Sequence, residues 1–517
     1  MKPQAERMNA DDKRALLNAF HPDQQEASFT PLKVGANEGE RAPIELAEML
    51  HSNSRILNMD FDLSQAHYET DVLIIGGGGA GAAAAIEACR AGAQVTLVTK
   101  LRMGDANSMM AEGGIQAADK AHDSPAQHYL DAFGGGHYAA KPELLKRLVL
   151  DGPASIDWLT DLGVLFDRDP DGAMTVHHGG GTSRKRMHAC ADYTGAEITR
   201  VLRDEVHSLP IPIIEYTAAV ELLLDENGHI GGAILFNLLN QRYEIARCKT
   251  LILATGGAGR MHYNGFPTSN HYGATADGLI LAYRAGARLL YQDALQYHPT
   301  GVAYPAQLFG ALVTEKVRAL GAGLYNKNGE AFIHPLETRD VVSAAIMREC
   351  AEGRGVPCGN KPNGDEKAYG VWLDAPNIDQ LHGDGYIEQH LPGMFRMFQN
   401  YHIDIRETPI LVYPTLHYQN GGIDIEPDGA TPNIPNLYVA GEAVGGIHGK
   451  NRLMSNSLLD VIVFGRLAGK NAAHQARERD MANSVHLRHV DDYAMALRAA
   501  GLKTGKVSPL LLPEYVK

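Results

Sequence analysis

The chain runs to 517 residues, 44% hydrophobic and 21% charged, and carries a formal net charge of −14. That length exceeds one ordinary core and predicts two or three domains; no apolar run reaches the roughly 20 residues of a membrane helix, and the polar N-terminal stretch lacks the apolar core of a secretory signal. The acidic balance excludes a general nucleic-acid binder, and a dianionic substrate would need a locally basic pocket set against that field.

Residues 1–68 are polar and irregular, an arm with one amphipathic segment at 44–50, and are expected to pack on their own domain. From Asp71 strand and helix alternate, the pattern of a mostly parallel sheet with helices on its faces. Residues 71–75 read as a buried strand, Gly76, Gly78 and Gly81 as a G-x-G-x-x-G turn, and 82–88 as the helix that follows. The first glycine permits the tight turn, the second lets backbone approach a pyrophosphate, and the third lets helix pack on strand. The helix N-terminus offers unpaired N–H groups to phosphates, and residues 93–99 supply the next strand, so a dinucleotide site is predicted. Further strand-to-glycine switches at 250–259 and 436–442 point to one cofactor domain assembled from distant segments. The stretch between roughly 300 and 415 is then an insertion, with a helix at 339–347 and a turn-rich connection at 359–364.

The basic, glycine-rich segment 177–186 holds His177 and His178, for which no third ligand is spaced. It is expected to be a loop beside the cofactor or at the substrate entrance, and no metal site is predicted. Cys89, Cys190, Cys248, Cys350 and Cys358 are scattered, which fits a reduced, cytoplasmic protein and leaves no usual iron–sulfur pattern. Electrons must then be exchanged with another chain or a soluble donor.

Several motifs occur in a fixed order: Val98-Thr99-Lys100, Glu112-Gly113-Gly114-Ile115, Ala254-Thr255-Gly256-Gly257, Tyr297-His298-Pro299-Thr300-Gly301 and Leu312-Val313-Thr314-Glu315. Thr338-Arg339-Asp340-Val341-Val342, Pro414-Thr415-Leu416-His417-Tyr418, Ala440-Gly441-Glu442, and Asn451-Arg452-Leu453 before Asn456-Ser457-Leu458-Leu459-Asp460 complete the set. With them the chain, over roughly 71–475, resembles the flavoprotein subunits of fumarate reductase and succinate dehydrogenase, with L-aspartate oxidase as a relative. The resemblance implies an α/β fold, a Rossmann-type FAD-binding domain with an inserted α+β capping domain. On that reading 1–68 is the arm, 69–297 and 417–476 bind FAD, 298–416 is the cap, and 477–517 is a short C-terminal tail.

The implied activity is interconversion of fumarate and succinate, with hydride from flavin N5 and a proton from Arg339. By the family's motifs Arg452 clamps a substrate carboxylate, bidentate as only a guanidinium can be, with His298, Thr314 and His417 as the other carboxylate-binding groups. Arginine is a poor acid; the family's answer is a relay through Glu315 and Arg318, both present at matching spacing. For FAD the resemblance implies Gly76, Gly78, Gly79, Ala80, Gly81, Thr99, Lys100, Ser108, Gly113, Gly114, Gly256, Asp277, Glu442, Arg452, Ser457 and Leu458, with Glu442 on ribityl or ribose hydroxyls.

Two departures matter. Where many membrane-bound members attach FAD through a histidine, this chain has Asn107, so non-covalent FAD is expected. The family's glutamine is Glu112. Loss of the covalent bond and a carboxylate at Glu112 should lower the flavin potential and favour fumarate reduction. The second departure is the early end after the Ser-Leu-Leu-Asp motif, which puts in doubt the usual docking onto an iron–sulfur and membrane-anchor assembly. An iron–sulfur protein or another redox chain remains the expected partner, with a cytoplasmic location, peripheral to a membrane's inner face where such a partner holds it there. Alternatives are L-aspartate oxidase, disfavoured by Gly301 and Asp460, a reductase of another unsaturated dicarboxylate, and an electron-transfer subunit, for which the His298, Thr314, Arg339, His417 and Arg452 set would be needless.

Overall fold

The structure, a computed structural model, describes residues 5–360 and 367–513; most of the turn expected at 359–364 therefore lies outside the described residues. Strand Tyr68–Ile75 is buried along Val72–Ile75, as a strand covered on both faces must be. It pairs in parallel with Val95–Val98 on one side and with Arg242–Leu253 on the other. Ile213–Ile214 extends this parallel set at one edge, and Leu437–Val439 joins beside the end of Arg242–Leu253. The other half of Arg242–Leu253 forms an antiparallel meander with Ile230–Asn237 and Thr217–Leu224. Side chains such as Leu73, Ile74, Leu251 and Ile252 are fully buried, each contributing about 1.5–3 kcal/mol.

Helix Gly79–Arg90 is crossed by helix Asn456–Arg477 at very short range. A Cβ on Gly465 would lie 2.6 Å from the Ala80 carbonyl oxygen, and one on Gly469 2.3 Å from that of Ala84. Small residues at the crossing thus let two backbones touch, and the first turns of both helices meet at one cavity.

A second sheet is built from Leu295–Val302, Ile410–Gln419, Lys367–Leu373 and Leu324–Tyr325, with Val356–Asn360 beside Lys367–Leu373. Helix Arg339–Ala351 packs on it, around a separate core that includes Val342, Ile346, Val371 and Phe398. The strands that enter and leave this unit, Leu295–Val302 and Ile410–Gln419, pair with each other. The register runs from Gln296↔Tyr418 to Tyr297↔Leu416, so His417 is the extra residue of a β-bulge, a device that re-aims a side chain. Several contacts tie the units together, among them the Asp192 carboxylate, which accepts the N–H groups of Gly393 (3.0 Å) and Met394 (2.8 Å) at the start of helix Pro392–Gln399, and Lys316 Nζ, which donates to Ala191 O at 2.8 Å.

The N-terminal arm does not pack on one domain alone. Helix Ala10–Phe20 lies on Arg339–Ala351, with Leu16 in the second core and Lys13 2.7 Å from Glu337. Asp23 accepts the Leu295 N–H at 2.9 Å, while helix Ile44–Leu50, the amphipathic segment, packs in the main core against Asp277–Arg284. The arm straddles both units because its apolar positions, Leu16 and then Leu46 to Leu50, fall in different cores.

Candidate active site

One cavity of ≈ 660 Å³ runs from the glycine turn to the two junction strands, within the range of pockets that bury organic ligands. At one end its wall is backbone. Gly76 has φ +122° and no room for a side chain: a Cβ there would sit 2.2 Å from Ala254 O, and one on Gly81 1.8 Å from Gly76 O. Gly78 is less enclosed, but a Cβ there would still press on the Ala106 Cβ at 3.2 Å. Gly79, Ala80, Ser457 and Leu458 place two helix N-termini on this wall, with their unpaired N–H groups and positive dipole ends. Ser108 Oγ accepts the Gly79 N–H at 3.1 Å. Thr99, Gly113, Gly114 and Gly256 also line it. Gly81 does not: it faces the strand, where it serves helix packing rather than ligand contact.

Lys100 Nζ is 2.6 Å from Asp277 and 2.8 Å from Thr275 Oγ1 at this end. Glu442 is buried; one oxygen accepts the Gln419 N–H at 3.0 Å and the other Asn107 Nδ2 at 3.3 Å. Burial raises its carboxyl despite these partners. Asn107 is fully engaged, its Nδ2 donating to Asn270 Oδ1 and its Oδ1 accepting the His271 N–H, each at 2.6 Å. An amide so held offers no nucleophile. Glu112 lines the same cavity, and burial, then the nearby Asp192 charge, push its carboxyl well above the carboxylate range. Both causes favour its neutral form and work against the negative charge expected of it.

The wall fits a dinucleotide. Gly78 leaves a cradle that a side chain would narrow, two helix N-termini converge on it, and Glu112 Oε2 and Thr255 Oγ1 are buried there with no partner among the described residues, the state of groups that await a ligand.

The other end is made of side chains. His298 and His417 stand with ring centroids 5.1 Å apart. His298 Nδ1 accepts the Thr300 N–H at 3.3 Å; an N–H can only donate, so the neutral ring carries its proton on Nε2. Ser269 Oγ lies 2.8 Å from His417 Nδ1 and orients the second ring. Burial, reinforced by Arg339, holds both imidazoles well below their ordinary 6.5, and they are neutral donors.

Arg339 starts its helix and is locked by two bonds, Nε to Glu315 at 2.7 Å and Nη1 to Gln296 Oε1 at 2.9 Å. Arg318 lies 3.3 Å from the same Glu315 oxygen, so the three side chains sit in the order the resemblance implies. Burial works to raise Glu315, but Arg318 and Arg339 overcome it and hold the carboxylate below its usual value. Arg452 donates Nη2 to Gln296 Oε1 (3.0 Å) and Nη1 to Leu453 O (3.2 Å), stacks 4.4 Å over the Tyr418 ring, and has a buried Nε without a partner among the described residues. Burial and then Arg339 push it down to about 9, still cationic at neutral pH. Three guanidiniums thus face one carboxylate, an excess of two positive charges among buried side chains. Thr314 completes this wall.

Segment 177–186 lines neither end of the cavity. Gly180 lies against Glu315 from behind, where a Cβ would come within 1.9 Å of Oε1. The motifs assign no role to Gln296, Asn451 or Ser269. Gln296 carries a signal nonetheless, since it shares a strand face with His298 and Thr300 at a spacing of two.

A family model described as "FAD binding domain" matches residues 71–458. A fumarate reductase (CoM/CoB) chain of Methanothermobacter marburgensis is 39% identical over 420 residues, 79% of this chain and 73% of that one. L-aspartate oxidase of Streptomyces coelicolor is 33% identical over 417 residues, 78% and 68% of the two chains. Among solved structures, a FrdA mutant of Escherichia coli quinol fumarate reductase superposes with a TM-score of 0.74 at 30% identity, covering 84% of this chain and 74% of that one.

Proposed function

The chain belongs to the FAD-binding flavoprotein family, an oxidoreductase family, and on that premise we propose that it interconverts fumarate and succinate on a non-covalently held FAD. The observation that carries the reading is the excess of two positive charges at Arg339 and Arg452, with a guanidinium N–H that has no partner among the described residues and two neutral imidazoles beside it. A small dianion with two carboxylates matches that charge and those donors. Asn107 in place of a nucleophilic histidine supports non-covalent binding, and the lower potential that follows favours fumarate as oxidant.

Bound FAD would supply two-electron hydride chemistry, held by the glycine turn, the two helix N-termini, Lys100, Asp277 and Glu442. Arg452 binds one substrate carboxylate through the N–H groups it has not already committed. His298, Thr314 and His417 hold the other by neutral hydrogen bonds, which fix geometry without adding charge. Reducing the alkene adds hydride at one carbon and a proton at the other. Arg339 delivers that proton, and Glu315, 2.7 Å from its Nε, returns one from Arg318. Charge developing on the substrate meets fixed cations in a water-poor pocket, where such stabilisation is strongest. The cap, residues 298–416 on this reading, closes over the dianion, and electrons come from a redox partner chain such as an iron–sulfur protein, since the chain has no cysteine framework for a cluster.

The test is anaerobic: flavin is reduced chemically and mixed with fumarate. Fast reoxidation with one succinate per flavin is the expected result. No reoxidation by fumarate, with flavin reduction by L-aspartate instead, would overturn the substrate assignment and leave the fold and cofactor standing.

A further inference from the structure

We infer that the surface ion pair between His137 and Asp340 orients Gln296 through Asn451, so that His137 is a positioning residue for the two guanidiniums of the dicarboxylate site. The inference rests on the functional reading above, whose site it deepens.

The contacts form one continuous chain. His137 Nε2 lies 2.7 Å from Asp340 Oδ2, and Asp340 Oδ1 accepts Asn451 Nδ2 at 3.1 Å. Asn451 Oδ1 accepts Gln296 Nε2 at 3.0 Å, and Gln296 Oε1 accepts Arg339 Nη1 at 2.9 Å and Arg452 Nη2 at 3.0 Å. The polarity of each link is forced by the one before it. A carboxylate only accepts, so Asn451 must turn its NH₂ toward Asp340; its other hydrogen reaches Gly135 O at 3.0 Å. That leaves the Asn451 oxygen for Gln296, whose NH₂ is also fixed by Arg452 O at 2.6 Å. The Gln296 oxygen is then presented between two cations that can only donate. A flipped Gln296 would aim N–H groups at both guanidiniums and release them from each other's vicinity. The direction of the whole chain thus agrees with the negative charge on Asp340, and the Gly135 and Arg452 carbonyls hold the two amides the same way.

Asp340, Asn451 and Gln296 are buried, whereas the His137 side chain is 45% exposed. His137 is thus the end of the chain that solvent protons reach. The groups facing it are Asp340 on helix Arg339–Ala351, Lys450 on the segment that continues into Asn451 and Arg452, and His21 on the N-terminal arm. The hydrogen bond to Asp340 raises His137 above its ordinary 6.5, against burial and Lys450. The ion pair is therefore complete below pH 6.5 and is lost as pH rises through the raised value. Asp340 is also the residue after Arg339 in the first turn of the same helix.

The experiment measures malonate, a dianion with no bond to reduce or oxidise, binding to the FAD-loaded protein by its perturbation of flavin absorbance, from about pH 5.5 to about pH 9. Wild type, His137→Gln and His137→Lys are compared, with thermal melting as a second readout. Wild-type affinity should fall about three- to ten-fold across the alkaline transition, the scale of a partly exposed charge interaction. H137Q should show the weak, alkaline affinity at every pH, and H137K should stay tight beyond the wild-type transition. Superimposable profiles for all three proteins, or a drop in melting temperature in H137Q with an unchanged profile, would overturn the positioning role alone. Failure of malonate to bind wild type at any pH would overturn the dicarboxylate reading and this inference with it.

Discussion

The two ends of the cavity recognise their ligands by different physics. The cofactor end is shaped by backbone: glycines that exclude a Cβ, two helix N-termini, and small residues that let helices touch. The far end is shaped by long charged side chains, each held by at least one other side chain. Backbone recognition tolerates almost no added volume, because neighbouring carbonyls cannot move aside. Side-chain recognition tolerates volume better and charge worse, because a buried cation that loses its partner has nowhere to shed its charge. The two ends should therefore fail separately and in different assays.

The largest effect expected is at the charged end. Arg339→Gln keeps a polar, hydrogen-bonding side chain but shortens it and removes the N–H⁺ proposed as the proton source, and kcat for fumarate reduction should drop about 10³-fold, within the usual range for loss of a general acid. Bound FAD, measured by absorbance, should stay stoichiometric. If FAD is lost together with turnover, the two ends are not separable and the comparison fails.

The converse variant is Gly81→Ala, whose Cβ would fall 1.8 Å from Gly76 O. Overpacking of this kind costs about 1–3 kcal/mol, and here it distorts the glycine turn on the cofactor wall. FAD occupancy should fall and the melting temperature with it, while FAD-saturated enzyme should keep a near wild-type KM for fumarate. A raised KM with full occupancy would contradict the assignment of Gly81 to helix packing.

How much of this is legible in the sequence follows the same division. The cofactor end is written in local spacing, and Gly76, Gly78 and the helix after them read directly from 71–88. At the charged end, Arg339, Glu315, Arg318 and Arg452 are legible only as members of motifs, because nothing in their own neighbourhoods says that they meet. What joins them is not local at all: Gln296 reaches Arg452 across 156 positions, and Asn451 reaches Asp340 across 111. Segment 177–186 reads as a loop beside the cofactor or at the entrance because it is basic and glycine-rich. The structure uses one of its glycines, Gly180, to make room for Glu315. The arm's packing is hidden for a related reason, since one short amphipathic segment gives no hint that Leu16 belongs to a second core.

Gly180 gives an intermediate prediction that joins both kinds of recognition. A methyl in Gly180→Ala would press on Glu315 Oε1 at 1.9 Å and displace the carboxylate that orients Arg339. An about ten-fold loss in kcat is expected, a small part of what the acid itself supplies, with KM and FAD content unchanged. An unchanged kcat would remove Glu315 from the path of the proton.

The smallest effect is expected at Glu112, where the two ends meet. Because burial and then Asp192 favour the neutral form of its carboxyl, Glu112→Gln puts a permanently neutral group of the same shape in its place. The flavin midpoint potential at pH 7 should move by less than about 30 mV, the two-electron equivalent of a tenfold change in the redox equilibrium. Stability should respond instead. A carboxyl whose folded value lies above its ordinary 4.5 keeps a proton in the native state that the unfolded chain has released, so wild-type stability declines as pH rises from 4.5 toward the folded value. E112Q cannot titrate. It should therefore melt higher than wild type at alkaline pH, with the gap closing as pH approaches 4.5. A large potential shift in E112Q would mean that an ionised Glu112 acts on the flavin, and that a side-chain charge, not backbone alone, sets the cofactor end.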